Sequence, residues 1–378
     1  MAQTFTDWEM MVVDDGSTDN TRQIVENFIE PRIKYFYLDH QGRKAARSAG
    51  FEKSTGESII FLDADDWWEA SCLEKLHQAL TDAPTEIAVA HCDFAYVDGN
   101  GNILRRENSA FSDGPGLETL ALGNLFAIHA ALVKRAAIES IGGFPQMNPG
   151  LEDWELWIEI AAKGFGFVHL PELLAYYNWR SESVSKNVDE RKSDCLNTLA
   201  RFWSNKNLPE KIKMLKGRSY ANAYLEFCTT QFDLENMQCA RADFKQAMDY
   251  DRGTAFEVET YYRIFFSKML GNEFSKAGFI GIEDYEKKIV LLMSCLAESR
   301  YNQSEIQRAR SASYMALGAG LYAKKRLKEA KRSYLFAGQL DHGKYHQATY
   351  LIALGKSCLP TKLVDWGKRL RTMVHSER

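Results

Sequence analysis

Three short stretches of this 378-residue chain put carboxylates where they could do chemistry. In Val12-Val13-Asp14-Asp15-Gly16-Ser17-Thr18-Asp19, two acids follow the apolar run Trp8–Val13 and precede a segment with helical apolar spacing. Ligands of open α/β sheets bind beyond the carboxyl ends of strands, where an acid can accept from a base N–H or a ribose hydroxyl. The same acids could instead only serve the N-terminus of the helix that follows. Phe61-Leu62-Asp63-Ala64-Asp65-Asp66 sets three acids after an apolar run. Carboxylates so close repel one another unless a cation sits among them. Mg2+ or Mn2+ suits such oxygens, taking one or two protein carboxylates and the rest from substrate phosphates. On an extended backbone Asp63 and Asp65 point the same way. The competing reading is a polar loop whose acids cap a helix. Gly150-Leu151-Glu152-Asp153-Trp154-Glu155-Leu156-Trp157 opens a helix with acids, which suits its dipole. It also offers a general base beside two tryptophans three residues apart, of which one is expected in the core.

Elements that would position these acids alternate along the first half of the chain, the pattern of an α/β layer fold. Strands are expected at Trp8–Val13, Ile33–Leu38, Ile59–Leu62 and Ile87–Asp93. Helices are expected after the capping run Ser17–Asn20, with Ile24, Val25 and Phe28 as the apolar face, and at Ala45–Ser54 and Ser71–Leu80. Asp98-Gly99-Asn100-Gly101 reads as a turn. From about Lys186 the apolar spacing is helical to the end. Two segments there repeat: Tyr224, Phe227, Ala240, Phe244 and Ala247, and Tyr314, Leu317, Gly318, Tyr322, Ala330, Tyr334 and Ala337. Their alternation of large and small residues resembles the tetratricopeptide helix pair. The expected organisation is an α/β domain over 1–189 and an all-helical, repeat-like domain over 190–378.

Composition fits a globular protein, at 45% hydrophobic and 26% charged, and a net charge of -4 gives no reason to expect nucleic acid. No apolar stretch reaches membrane-spanning length. The seven cysteines form no CxxC and no Cys/His ligand cluster, which favours reduced thiols and a cytoplasmic setting. His91 and His129 sit in apolar context and read as core or edge residues. Lys362, Lys368, Arg369 and Arg371 share the last helix with Leu363, Trp366, Leu370 and Met373. That helix could lie on a membrane surface, giving a peripheral contact, or dock on the helices before it.

Taken together, the acidic clusters resemble the inverting glycosyltransferases of family 2, whose fold is GT-A. The resemblance runs to about Ser185 and includes Ala2–Glu9, Val12–Thr21, Gln41–Gly50, Gly56–Asp66, Ile141–Phe144, Glu152–Trp157 and Tyr177–Ser185. It implies that Asp14 and Asp15 hold the base and ribose of a nucleotide-sugar donor, a UDP-sugar above others. The loop Gly42, Arg43 to Arg47 would flank the base. Asp63-Ala64-Asp65 corresponds to the family's DxD motif. Asp65 would bind Mg2+ or Mn2+, and Asp63 the ribose or the metal. Asp153 would be the catalytic base with Glu152 beside it, and Trp154 would contact the acceptor, a carbohydrate or glycolipid. Ser183 and Ser185 match a loop over the diphosphate, where Arg180 stands in place of a frequent His; a fixed cation could still neutralise the leaving group. A hexosyl transfer with inversion follows, in surface polysaccharide or glycoconjugate synthesis, with a protein partner or acceptor on the helical half.

The family's first strand and helix have no counterpart ahead of Ala2–Glu9. That points to a truncated start, and to one of two outcomes: the Trp8–Val13 strand pairs directly with Ile59–Leu62, or a cleft is left between them. It also keeps open a second function, an inactive remnant whose helical half is a binding scaffold.

Overall fold

The computed structural model describes residues 2–107, 113–144, 151–179, 188–266 and 282–341. The chain divides into two compact units, Met1–Ser219 and Tyr220–Arg378.

In the first unit β1 (Met10–Asp14) leads through α1 (Thr21–Glu26) to β2 (Ile33–Tyr37), and α2 (Arg43–Lys53) follows. Next come β3 (Ser58–Ile59), β4 (Trp67–Trp68), α3 (Cys72–Asp82), β5 (Ile87–Val97) and β6 (Ile103–Glu107). Then come α4 (Leu117–Leu120), β7 (Ala131–Lys134), α5 (Arg135–Ser140), α6 (Glu152–Ala162), β8 (Gly166–Asn178) and α7 (Val188–Ser204), with a short helical turn at Glu210–Lys213. β1 and β2 form a parallel pair in the register Met10 to Ile33 through Asp14 to Tyr37. The other strands form a mixed sheet in the order β3-β7-β5-β8-β4, with β6 also on β5. This is the layered α/β architecture expected of the GT-A type.

The core of that sheet follows from its sequence. β5 is apolar at nearly every position because it is central, parallel to β8 and antiparallel to β7. Cys72, Leu76 and Leu80, four apart on α3, are buried against Ile87, Ala90 and Cys92 of β5 and Leu174 of β8. Each fully buried leucine of this kind contributes about 2 kcal/mol.

Two expectations are corrected. Ile59–Leu62 is not a four-residue strand. Only Ser58 and Ile59 pair, with Lys134 and Val133, and the chain then leaves the sheet so that Leu62 is exposed before the acidic turn. Nor does the first strand pair with it: among the described residues β1 bonds β2 alone and β3 bonds β7 alone.

Among the described residues no strand follows Asn178. α7 nevertheless belongs to the first unit, because buried Glu155 on α6 accepts from Thr198 Oγ1 at 2.8 Å and pairs with Arg201.

The second unit is helical: α8 (Lys216–Asp233), α9 (Met237–Tyr250), α10 (Val258–Phe266), α11 (Ile282–Ala297), α12 (Gln303–Ala323) and α13 (Leu327–Leu340). The repeat is visible in the backbone. α8 and α9 are joined through Glu235 at φ +59°, and α12 and α13 through Lys325 at φ +62°. Asn236 N–H reaches back to Gln231 O at 2.8 Å, and Arg326 N–H to Leu321 O at 2.9 Å, the same helix-ending turn twice. Phe227, Ala240, Phe244 and Ala247 are buried, as are Leu317, Ala330, Tyr334 and Ala337. Small residues let the paired helices approach, and the aromatics fill what is left. The basic helix expected near the C-terminus lies outside the described residues.

Candidate active site

β1 delivers Asp14 and Asp15, and the two do different things. Asp14 is buried; its Oδ1 accepts from Ser17 N–H at 2.8 Å and its Oδ2 from the Tyr35 hydroxyl at 2.6 Å. Burial pushes this carboxyl up, but the hydrogen bonds from Tyr35 and Ser17 outweigh it and hold it below its ordinary range. The Asp14 bond in turn pushes the Tyr35 hydroxyl up to about 12. Asp14 therefore closes the turn after β1 and ties it to β2; it makes no bond to the start of α1, where the N-cap position is Asn20. The turn requires glycine at Gly16: its φ is +86°, and a Cβ there would lie 2.9 Å from His40 Cβ. Asp15 faces the other way and accepts from the backbone N–H groups of Gln41 at 2.7 Å and Gly42 at 2.9 Å, which open α2.

α2 carries Arg43 and Arg47 one turn apart. Arg43 Nε donates to Glu152 Oε1 at 2.6 Å, and Arg47 donates to the same oxygen at 2.9 Å. The other arm of Arg47 donates to Asp63 Oδ1 at 2.7 Å. Burial pushes Glu152 up, but Arg43 and then Arg47 hold it below the usual carboxylate range. It stays charged because it is paired twice, the condition for burying an ion. Asp15, α2, Asp63 and Glu152 thus join the three acidic clusters in one network.

In the DxD turn Asp66 N–H donates to Asp63 O at 3.0 Å. Asp63 and Asp65 remain half-buried, while Asp66 turns inward. Its Oδ1 accepts from Asn178 N–H at 2.9 Å, and its Oδ2 lies 3.5 Å from His129 Nδ1. Burial pushes Asp66 up to about 7, with Asp63 and Asp65 adding to the push, and burial draws the His129 imidazole down to about 4. His91 and His129 are both core residues, as expected. Among the described residues no group of three or more His, Cys, Asp or Glu side chains is arranged to hold a metal. Two half-buried carboxylates are nonetheless the protein share that Mg2+ or Mn2+ takes when a diphosphate supplies the rest, so Asp63 and Asp65 fit such an ion.

Asp153 stands at the start of α6, half-buried. Its Oδ1 accepts from Trp154 N–H at 2.7 Å and its Oδ2 from the Asn124 side-chain amide at 3.1 Å. Burial pushes this carboxyl up, against the Trp154 bond and Arg47, which draw it down. The acceptor platform expected of Trp154 is not formed. Trp154 is 4% exposed and its indole N–H donates to Leu120 O at 2.8 Å, so no ring face is open to a sugar. Trp157 is fully buried against Phe126, at 5.1 Å between centroids. Arg180, Ser183 and Ser185 lie outside the described residues. The sequence reading missed Asn124 and Tyr35. Tyr35 follows from strand alternation, since it sits opposite Val12 and so on the same face as Asp14; Asn124, in the loop between α4 and β7, carries no signal of its own.

The site is an α/β unit whose acidic turns are tied together by two arginines, and known glycosyltransferases share its sequence in part. Residues 1–142 match the model of Glycosyl transferase family 2. An uncharacterized glycosyltransferase of Nostoc sp. is 32% identical over 51% of this chain and 64% of its own length. The chain thus spans under two thirds of that relative. A putative teichuronic acid biosynthesis glycosyltransferase of Bacillus subtilis is 29% identical over 49% of this chain and 73% of its own. The UDP-Glc:alpha-D-GlcNAc-diphosphoundecaprenol beta-1,3-glucosyltransferase WfaP of Escherichia coli is 26% identical over 50% and 72%. No helix among the described residues is long and apolar enough to cross a membrane.

Proposed function

We propose that the protein transfers a sugar from a nucleoside-diphosphate donor, a UDP-sugar, to an acceptor hydroxyl with inversion at the anomeric carbon. The observation that carries this reading is the Arg47 bridge between Asp63 and Glu152, which sets the DxD turn beside the residue next to the base. Asp15 and the start of α2 would take the nucleoside, and Arg43 and Arg47 would lend positive charge toward its phosphates. Asp65 and Asp63 would hold Mg2+ or Mn2+, which when bound neutralises charge on the departing diphosphate. Asp153 accepts the acceptor hydroxyl's proton as that oxygen attacks, and Glu152 acts through the arginines. A positioned base of this kind is typically worth about 10²–10⁴-fold in rate. The relatives' names favour a carbohydrate or lipid-linked saccharide acceptor in surface polysaccharide synthesis. The helical unit would orient that acceptor or a partner protein, since stacked helix pairs present a concave surface.

The test is a screen of nucleotide sugars for hydrolysis, followed by Asp153→Asn with the donor it selects. The variant should bind the nucleotide as the parent does and transfer nothing. Loss of nucleotide affinity as large as the loss of rate would make Asp153 a structural acid at a helix start. The unjoined β1–β2 pair favours a second reading, an inactive remnant with a helical scaffold. Absence of any metal-dependent nucleotide binding in a calorimetric titration would select it.

A further inference from the structure

We infer that Asn124 is a positioning residue for the transfer, holding the Asp153 carboxylate in line for the acceptor hydroxyl; this rests on Asp153 being the base. The carboxylate is gripped at both oxygens by different elements. Trp154 N–H of α6 donates to Oδ1, and the Asn124 amide, from the loop after α4, donates to Oδ2. Two grips fix the plane of the carboxylate, which one would leave free to rotate.

The loop that carries Asn124 is itself held on both sides. Leu120 O, before it, accepts from the Trp154 indole at 2.8 Å. Phe126, after it, is buried against Trp157. Both anchors come from α6, the helix that Asp153 opens, so the amide and the carboxylate keep their distance when other parts of the unit move. Asn124 itself is exposed. An exposed side chain aimed at a half-buried acid, between two buried anchors, is placed for work at the site and contributes little to the core.

The charges around Asp153 say why a neutral donor is useful. Burial and the neighbouring Glu152 push its carboxyl up, and Arg47 draws it down, with Arg43 also within electrostatic reach. The arginines are bound to Glu152 and Asp63, so their charge is shared. The Asn124 amide stabilises the ionised form directly, without adding a cation beside the attacking oxygen. A base has to be ionised to accept a proton, so losing the amide should move the acidic limb of the rate profile to higher pH.

The experiment compares Asn124→Leu and Asn124→Asp with the parent chain, using the nucleotide sugar selected by the hydrolysis screen. For Asn124→Leu the acidic limb of kcat should rise by about half to one pH unit, and kcat should fall about tenfold, with donor KM within about twofold. Asn124→Asp, nearly the same shape, places a like charge against Asp153 and should raise the limb further. Carbon-13 titration of the Asp153 carboxyl in the same variants should move in step. Superimposable limbs and titrations in both variants overturn the inference, as does a rise in KM that matches the fall in kcat. Asp153→Asn separates the failures. If it abolishes turnover while the Asn124 limbs stay put, only the role of Asn124 falls. If it keeps turnover, or if the parent hydrolyses no nucleotide sugar, the base reading falls and the inference with it.

Discussion

Arg47 and Glu152 are paired at 2.9 Å, the guanidinium 10% exposed and the carboxylate 2% exposed. Each is a buried ion beside the other, with Asp63 and Arg43 as their further partners. Glu152→Gln leaves Arg47 with Asp63 alone and Arg43 without its anion. Breaking a buried pair costs about 3–5 kcal/mol, and the remaining Asp63 contact should keep this case near the lower end. Arg47→Lys should be destabilising too, because one ammonium cannot span both acids as a forked guanidinium does. Urea unfolding midpoints check both, and a parent-like midpoint for Glu152→Gln would remove the bridge from the account.

Asp65→Asn deletes a charge and almost no volume from a half-buried turn. Its thermal midpoint should stay within a few degrees of the parent. Metal-dependent donor binding and turnover should fall by about 10²-fold or more, the scale of a lost Lewis-acid ligand. Full activity of the variant with Mg2+ or Mn2+ present would show that Asp65 is not a ligand.

How far the sequence could be read depended on the range of the interactions. The acidic turns were legible because each is a local pattern: apolar run, acids, helix. The helical hairpins were legible because Ala240 and Ala330 recur with the same neighbours, and Glu235 and Lys325 then share a left-handed turn. What was missed is non-local. Trp154 reads as a sugar platform until Leu120, far back in the chain, takes its N–H. α7 reads as the start of the helical half until Glu155 ties it to α6. β3 stops at Ile59 although β7 runs on to Ala131, and no residue of Ile59–Leu62 encodes that stop.

The tie between α6 and α7 can be cut singly. Glu155 is 3% exposed, accepts from Thr198 and Arg201 through one oxygen, and its other oxygen has no partner among the described residues. Glu155→Gln should cost about 1–3 kcal/mol, the range for removing one partner of a buried hydrogen bond. Amide hydrogen exchange should quicken along 188–204 before it quickens in the sheet. Uniform exchange changes, or none, would mean that the helix is held by its apolar face alone.

In the second unit the Tyr334 ring lies over Gly318, where a Cβ would come within 2.6 Å of it. Gly318→Ala gains about 1 kcal/mol of helix propensity but overpacks the α12–α13 contact by about 1–3 kcal/mol. The net change should be destabilising. Tyr334→Leu should remove the clash, so the double variant should be more stable than the two single changes sum to. A raised melting temperature for Gly318→Ala alone would mean that the helices separate there at little cost.

Glu9 gives the unit a pH dependence that can be isolated. Its carboxylate accepts from Thr55 N–H and, at 2.8 Å, from Thr55 Oγ1, and pairs with Lys34 at 3.1 Å. Burial pushes it up, but the Thr55 bonds and Lys34 prevail and bring it from 4.5 to about 2. A carboxyl lowered in the folded state stabilises above its unfolded pKa and loses that contribution as pH falls toward its folded one. The contribution should therefore be complete above about pH 5 and fade between about pH 4.5 and 2. Because Lys34 is half exposed, its size is on the order of 1–2 kcal/mol after screening. Glu9→Gln should lower the urea midpoint at about pH 6, and the gap to the parent should narrow by about pH 3. A gap that stays constant over that range would mean that Glu9 holds Thr55 by shape and not by charge.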